Sequence, residues 1–223
     1  MVTKRSHTKT RSQLDTVPGG WVSHRSRRGF GCVWLRASKS LSNQLATVQF
    51  KSLQATMHPS IRPATHQDIE KVADILCEAA RWLEQREMRM WRADELLPSR
   101  IAADVNAGLF IIAECDGEAA GVLKFQLEDG LFWPDVVQPE SAFVHRLAVR
   151  RRFAGLGISS ALLSWAVERA RTIGRDYLRL DCEASRPKLR AVYERFGFIH
   201  HSDRQVGPYF VSRYEYKITG PVA

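Results

Sequence analysis

From Ile61 to Ile218 the chain alternates between stretches with a hydrophobic period of two residues and stretches with a period of 3.6. Such alternation within one domain requires strands and helices stacked as layers around shared cores. "IRPAT" (Ile61–Thr65) opens as a short strand. Ile69, Val72, Ala73, Leu76, Cys77 and Ala80 then repeat at helical spacing and form one apolar stripe. Pro98 interrupts the charged, aromatic segment that follows, and a second helix is expected over Ser99–Ala107, with Gly108 as its stop. The apolar runs Leu109–Glu114 and Ala119–Leu127 flank Asp116-Gly117, a hairpin signal. Ala142–Val149 reads as a further strand. A long helix follows from Ile158, with Ala161, Leu162, Trp165, Ala166 and Ile173 on one face and Gly174 at its end. Tyr177–Cys182 alternates as a strand, and Pro187 and Gly197 bracket another helix. Two strands, near Phe198–His201 and Phe210–Ile218, close the domain. The expected order is β-α-α-β-β-β-α-β-α-β-β, a single mixed α/β domain.

Charge separates this body from what precedes it. The chain carries 33 Lys and Arg against 24 Asp and Glu, a net charge of +9. Residues 1–56 hold ten of the basic residues and one acid, Asp15, so 23 of each sign remain from residue 57 onward. A balanced body gives no support for nucleic-acid binding by the folded domain. The first 56 residues are read as a basic, disordered extension, and three origins fit them. They resemble an organelle transit segment in being rich in Arg and Ser and poor in acid. They also suit a basic arm that touches nucleic acid. The favoured origin is a translation start set too far upstream, because the composition breaks at Met57, just before "MHPSIRPATHQDI". The domain is accordingly expected over residues 57–223. Cys32, Cys77, Cys115 and Cys182 form no metal-binding spacing, and no run reaches membrane-spanning length. A reducing, cytoplasmic location and no membrane partner are expected.

One corner of the sequence invites a chemical reading. "FVHRLAV" is followed by "RRRFAGLG" and then by the long helix. A helix start exposes unpaired N–H groups and partial positive charge, and glycines let an anion approach them. Arg152-x-x-Gly155-x-Gly157 lacks the Gly-Lys-Ser/Thr of a Walker loop, and Ser160 occupies the third glycine position of a dinucleotide fingerprint. Taken alone, a structural turn and an anion seat fit it equally.

Read with its neighbours, the corner is more specific. "IRPATHQDI", "FVHRLAV", the glycine turn and "LRLDCEASRPKLRAVYERFGF", with its Tyr-x-x-x-Gly-Phe, together resemble the GCN5-related N-acetyltransferase (GNAT) superfamily. The resemblance spans Ile61 to Ile218. It implies a mixed central sheet whose fourth and fifth strands splay apart, flanked by helices. It implies acetyl-CoA as cosubstrate and no metal. The pyrophosphate would lie on the main chain of Arg152, Ala154, Gly155, Leu156, Gly157 and Ile158. The pantetheine arm would pair with Leu147, Ala148 and Val149 of the fourth strand, where a backbone N–H can stabilise an oxyanion. Of Arg150, Arg151 and Arg152, two are expected to be solvated surface.

The resemblance also assigns roles to side chains. Tyr193 would protonate the departing thiolate. His145 would take the proton of the acceptor amine, with Asp181 and Glu183 as carboxylate alternatives and a packed core histidine as the plain reading. Lying two residues before Leu147, His145 is expected on the same strand face. Arg186 stands where many relatives carry asparagine, so its cofactor contact is expected to weaken or to move to a phosphate. Val192 and Ser159 are lesser departures. The acceptor, a primary amine of a small molecule or peptide, is expected between the segment Arg81–Arg92, with Trp82 and Trp91, and a loop from Ser202 to Tyr209. A homodimer is compatible with this reading. The rival is a non-catalytic acyl-CoA-binding module that keeps the turn and lacks turnover.

Overall fold

The computed structural model describes residues 59–88 and 90–219, so the expectations for residues 1–56 lie outside the described part. Among the described residues, seven strands and four α-helices follow in the expected order. The strands are β1 (Ser60–Pro63), β2 (Phe110–Cys115), β3 (Glu118–Gln126), β4 (Ser141–Val149), β5 (Tyr177–Glu183), β6 (Ile199–Val206) and β7 (Tyr209–Lys217). The helices are α1 (Ile69–Glu84), α2 (Pro98–Asn106), α3 (Ile158–Thr172) and α4 (Pro187–Phe196). They build one sheet in the order β1-β2-β3-β4-β5-β7-β6. Every neighbouring pair is antiparallel except β4 and β5, which α3 connects as a parallel crossover.

Helices cover both faces of the sheet, and the apolar pattern shows why. In β2, Phe110 and Ile112 join the core shared with α1 and α2, while Ile111 and Ala113 join the core shared with α3 and α4. Successive residues point to opposite faces, so a strand buried on both sides reads as a continuous apolar run. The start of α1 is fixed by charge. Asp68 accepts hydrogen bonds from the Thr65 N–H and hydroxyl, both at 2.9 Å, and pairs with Arg62 of β1 at 2.7 Å. The Arg62 guanidinium then reaches Glu114 of β2 at 2.7 Å, tying helix start, edge strand and second strand together.

The last hairpin is longer than the sequence suggests. Where a loop was expected from Ser202 to Tyr209, β6 runs to Val206 and turns back at Gly207. Being the outermost strand, β6 leaves Ile199, His200 and His201 exposed, so it has no apolar alternation to read.

A bulge in β4 departs from the regular pattern. Lys124 of β3 pairs with His145, but Val122 pairs with Ala148, so β4 carries one extra residue across that interval. Arg146 takes it up with a φ of 51°. The bulge reverses the strand's parity. Ahead of it, Ala142 and Val144 face α3 and α4; beyond it, Leu147 packs against that core. His145 therefore does not share a face with Leu147, contrary to the simple period of two.

Gly121 of β3 faces Ile158 and Leu162 of α3. A Cβ there would lie 2.9 Å from the Ala148 carbonyl oxygen and 3.0 Å from Ile158 Cγ2. The backbone atom cannot be moved without disturbing the β3–β4 pairing just past the bulge. Gly121→Ala is expected to destabilise the domain by about 1–3 kcal/mol. Urea unfolding should show a lower midpoint with an unchanged slope.

Candidate active site

β5 pairs with β4 only over Ser141–Val144, opposite Tyr177–Leu180. Beyond Val144 the strands separate, and a cavity of about 480 Å3 lies between them. His145, Leu147, Asp181, Cys182 and Tyr193 all line it. They reach it from opposite faces of the sheet. Leu178, Leu180 and Cys182 of β5 belong to the α3–α4 core, as does Tyr193 of α4. Asp181 alternates with them and so points to the other face, where it meets His145. The slot thus passes through the sheet, with an imidazole and a carboxylate on one side and a phenol on the other.

His145 lies between two carboxylates. Its Nε2 is 3.3 Å from Asp129 Oδ2, and its Nδ1 is 3.8 Å from Asp181 Oδ1. Asp129 belongs to the connection between β3 and β4. Its Oδ1 accepts the N–H groups of Leu131 at 3.1 Å and Phe132 at 2.9 Å, leaving Oδ2 for the histidine. Burial acts to raise the Asp129 carboxyl, but its contacts with His145 and these N–H groups outweigh that and hold it below its ordinary range. For Asp181 burial prevails, with the nearby Asp129 charge adding to it, and the carboxyl is pushed up to about 6 despite the attraction of His145.

Tyr193 is 7% exposed and packs edge-on against Phe198, with Tyr214 beside it. Burial pushes its phenol well above the ordinary range. Among the described residues no partner holds its hydroxyl. Cys182, beside it, is pushed up to about 12 by burial.

The glycine turn lies at the other end of β4. Gly155 and Gly157 adopt φ of 83° and 79°, conformations that disfavour any side chain, and a Cβ at either would meet open space. Gly157 caps α3, and no side chain bonds to the helix start. The first helical bond runs from the Ala161 N–H to the Gly157 carbonyl at 2.9 Å, so the N–H groups ahead of it point outward. The arginines before the turn have structural partners. Glu78 of α1 accepts from Arg150 Nη1 and from the Arg151 N–H, both at 2.8 Å. The Arg151 guanidinium lies 4.0 Å from the centre of the Trp82 ring, and Arg152, half-exposed, pairs with Glu118. Leu147–Val149 has no strand partner on its β5 side among the described residues.

Sequence comparison shows the family. The model of the acetyltransferase (GNAT) family matches residues 70–198. The chain belongs to that family. YesJ of Bacillus subtilis, an uncharacterized N-acetyltransferase, is 32% identical over 144 residues, which cover 61% of this chain and 79% of YesJ. Among solved structures, the PaiA N-acetyltransferase of Thermoplasma acidophilum in complex with coenzyme A shares the fold with a TM-score of 0.58. The identity is 17%, with 72% of this chain and all of that chain covered. Salmonella typhimurium yncA with its cofactor acetyl-CoA superposes with a TM-score of 0.57 at 16% identity, covering 74% of this chain and 97% of that one. The GNAT domain described here is an acyltransferase, with the expected mixed sheet parted between β4 and β5.

Of the residues that the sequence singled out in this GNAT domain, the structure brings His145, Leu147 and Tyr193 to one cavity. Ala148 and Val149 continue the unpaired edge, and Arg152, Ala154, Gly155, Leu156, Gly157 and Ile158 form the turn beyond it. Arg186 sits apart. Its guanidinium bonds the Met88 carbonyl at 3.0 Å and Met90 Sδ at 3.4 Å, anchoring the segment that brings Met90 and Trp91 to the cavity. Of the aromatic residues expected around the acceptor, Trp91 and Tyr209 line the cavity, whereas Trp82 is stacked between Arg86 and Arg151 and is not among its lining residues. Sequence reasoning missed Asp129. Its signal was Asp129-Gly130, a turn pair, which names a loop and not the strand that the loop folds onto. No described helix is long and apolar enough to cross a membrane.

The raised Asp181 carboxyl gives a stability signature. A folded value of about 6 against an ordinary 3.8 means that the native state binds this proton more tightly than the unfolded chain. Its contribution therefore declines as pH rises from about 4 through 6. Asp181→Asn should match wild type in stability near pH 4 and exceed it at pH 7.5 by up to about 3 kcal/mol, from a shift of about two units. Urea unfolding of both proteins at the two pH values checks this.

Proposed function

We propose that residues 57–223 form an acetyl-CoA-dependent N-acetyltransferase that acts on a primary amine by direct attack in a ternary complex. The observation that carries this reading is the slot through the sheet, with His145 and Asp181 on one face and Tyr193 on the other. The retained acid and base favour an enzyme over a non-catalytic binding module.

The residues present suit acetyl-CoA. The free edge of Leu147–Val149 offers main-chain donors and acceptors to an extended pantetheine arm, as an added strand would use them. The N–H groups of Gly155, Gly157 and Ile158, without a Cβ at either glycine, suit the pyrophosphate, while that of Leu156 is held by the Phe153 carbonyl at 3.3 Å. When bound, acetyl-CoA supplies an acetyl group activated as a thioester. His145, with Asp181 beside it, removes the proton from the acceptor ammonium so that the nitrogen lone pair can attack. A main-chain N–H of the β4 edge that β5 leaves unpaired beyond Val144 stabilises the developing oxyanion. Tyr193, which burial keeps protonated at neutral pH, returns a proton to the leaving sulfur. Cys182 is a poor nucleophile for the same reason, since burial keeps its thiol protonated. Direct attack therefore needs no acyl-cysteine step. Free thiols at Cys77, Cys115 and Cys182 are compatible with a cytoplasmic setting.

Isothermal titration with acetyl-CoA, then a primary-amine panel followed by thiol release, tests the reading; absence of acetyl-CoA binding overturns it. Tyr193→Phe should lower kcat by roughly 100-fold while acetyl-CoA binds within about twofold of wild type. Gly157→Ala places a Cβ at a φ that costs about 1 kcal/mol and should weaken acetyl-CoA binding about tenfold.

A further inference from the structure

The β3–β4 connection is held more firmly than a surface loop requires. Trp133 is completely buried, its ring facing Phe143 of β4, with the guanidinium groups of Arg213 and Arg179 4.7 and 5.4 Å from its centre. Arg213 is itself held by Asp135 of the same connection at 2.5 and 3.0 Å. Gln138 bridges the two ends of the loop. Its Nε2 donates to the Trp133 carbonyl at 2.7 Å, and its Oε1 accepts the Asp129 N–H at 2.8 Å. With Oδ1 fixed by two further N–H groups, the Asp129 carboxylate has both its position and its plane set by the loop.

That carboxylate faces one nitrogen of His145, and Asp181 faces the other. Asp129 Oδ2 and Asp181 Oδ1 are both buried and form no well-aligned hydrogen bond elsewhere. A neutral imidazole has one N–H and can serve one of these oxygens; an imidazolium has two and serves both. The pair of carboxylates therefore gives each ring nitrogen of His145 a facing partner. Glu128 and Glu183 also line the cavity, and the basic groups nearby are engaged by other acids. Lys124, the β3 partner of His145, pairs with Asp104 at 2.7 Å, Arg146 lies 3.7 Å from Glu95, and Arg213 is held by Asp135.

We propose that Asp129 is the positioning residue for His145, fixing its ring between two carboxylates so that the nitrogen turned to Asp181 receives and passes on the proton of the acceptor. This rests on the acetyl-transfer reading of the same slot. The two carboxylates have different tasks because their surroundings differ. Asp129 has the loop's N–H groups and stays an anion, whereas Asp181 lies deep beside β7 without such donors and can hold a proton near neutrality.

Asp129→Asn tests this, since an amide oxygen can still accept the Leu131 and Phe132 N–H groups while the charge is lost. The acidic limb of the kcat/KM profile should move to lower pH by about one unit, because an anion has been removed from a coupled set. kcat should fall about tenfold or more at pH 7 while the acceptor KM and acetyl-CoA affinity stay within about threefold. The imidazole 15N spectrum of His145 should show a fixed tautomer in wild type and a changed tautomer ratio in Asp129→Asn. An unmoved acidic limb together with an unchanged tautomer ratio overturns the proposal, and loss of stability alone would mark Asp129 as a loop residue. If the wild type acetylates no amine, the acetyl-transfer reading fails, and the nitrogen spectrum still decides whether Asp129 orients His145.

Discussion

The parting of β4 from β5 after Val144 is the constraint on which the rest of the domain depends. A parallel pair held by a crossover helix would ordinarily continue for the length of both strands. Here the extra residue at Arg146 bends β4 and changes which face each later side chain takes. Three consequences follow from that one irregularity. Main-chain groups of Leu147–Val149 lose their β5-side strand partner, the cavity forms in the middle of the sheet, and His145 and Leu147 are sent to opposite faces. Gly121, pressed against the Ala148 carbonyl, lets α3 pack closely beside the distorted strand.

Burial around the slot then sets its chemistry. Tyr193 and Cys182 lie within the α3–α4 core and are kept protonated by it. Across the sheet, Asp129 and Asp181 are a few ångströms from the same imidazole yet are pushed in opposite directions. The difference arises from donors. The β3–β4 connection supplies N–H groups to Asp129 and none to Asp181. Two loop N–H groups and His145 keep Asp129 an anion, whereas for Asp181 burial outweighs its own main-chain N–H and it gains affinity for a proton.

The sequence was informative where a feature is local. Periodicity gave the order of strands and helices, since each element needs only its own apolar face to be recognised. The glycines at 155 and 157 were legible because a positive φ at a helix start is a property of the backbone there. Tyr193 was singled out through the family resemblance that "YERFGF" carries, and it lies at the cavity. The arginines of "RRRFAGLG" were less informative than they look. Their charge suggested an anion, while in the fold Glu78, Trp82 and Glu118 engage all three. The polar pattern of β6 hid a full strand because an edge strand with exposed faces has no need to alternate.

Residues far apart in the chain meet only after folding, and this is where sequence reading ended. Composition and periodicity by themselves determined a mixed α/β domain of balanced charge, with a glycine turn at a helix start; the role of Tyr193 came only from what the family resemblance implies. The tertiary structure decided which face His145 occupies, because a single inserted residue at Arg146 reverses a two-residue period and leaves no mark in the apolar pattern. It also decided that Asp129, in a turn with no apolar period, would reach the histidine. Its position is set by hydrogen bonds of the loop and by the buried Trp133 anchor, contacts that exist only once the sheet has formed.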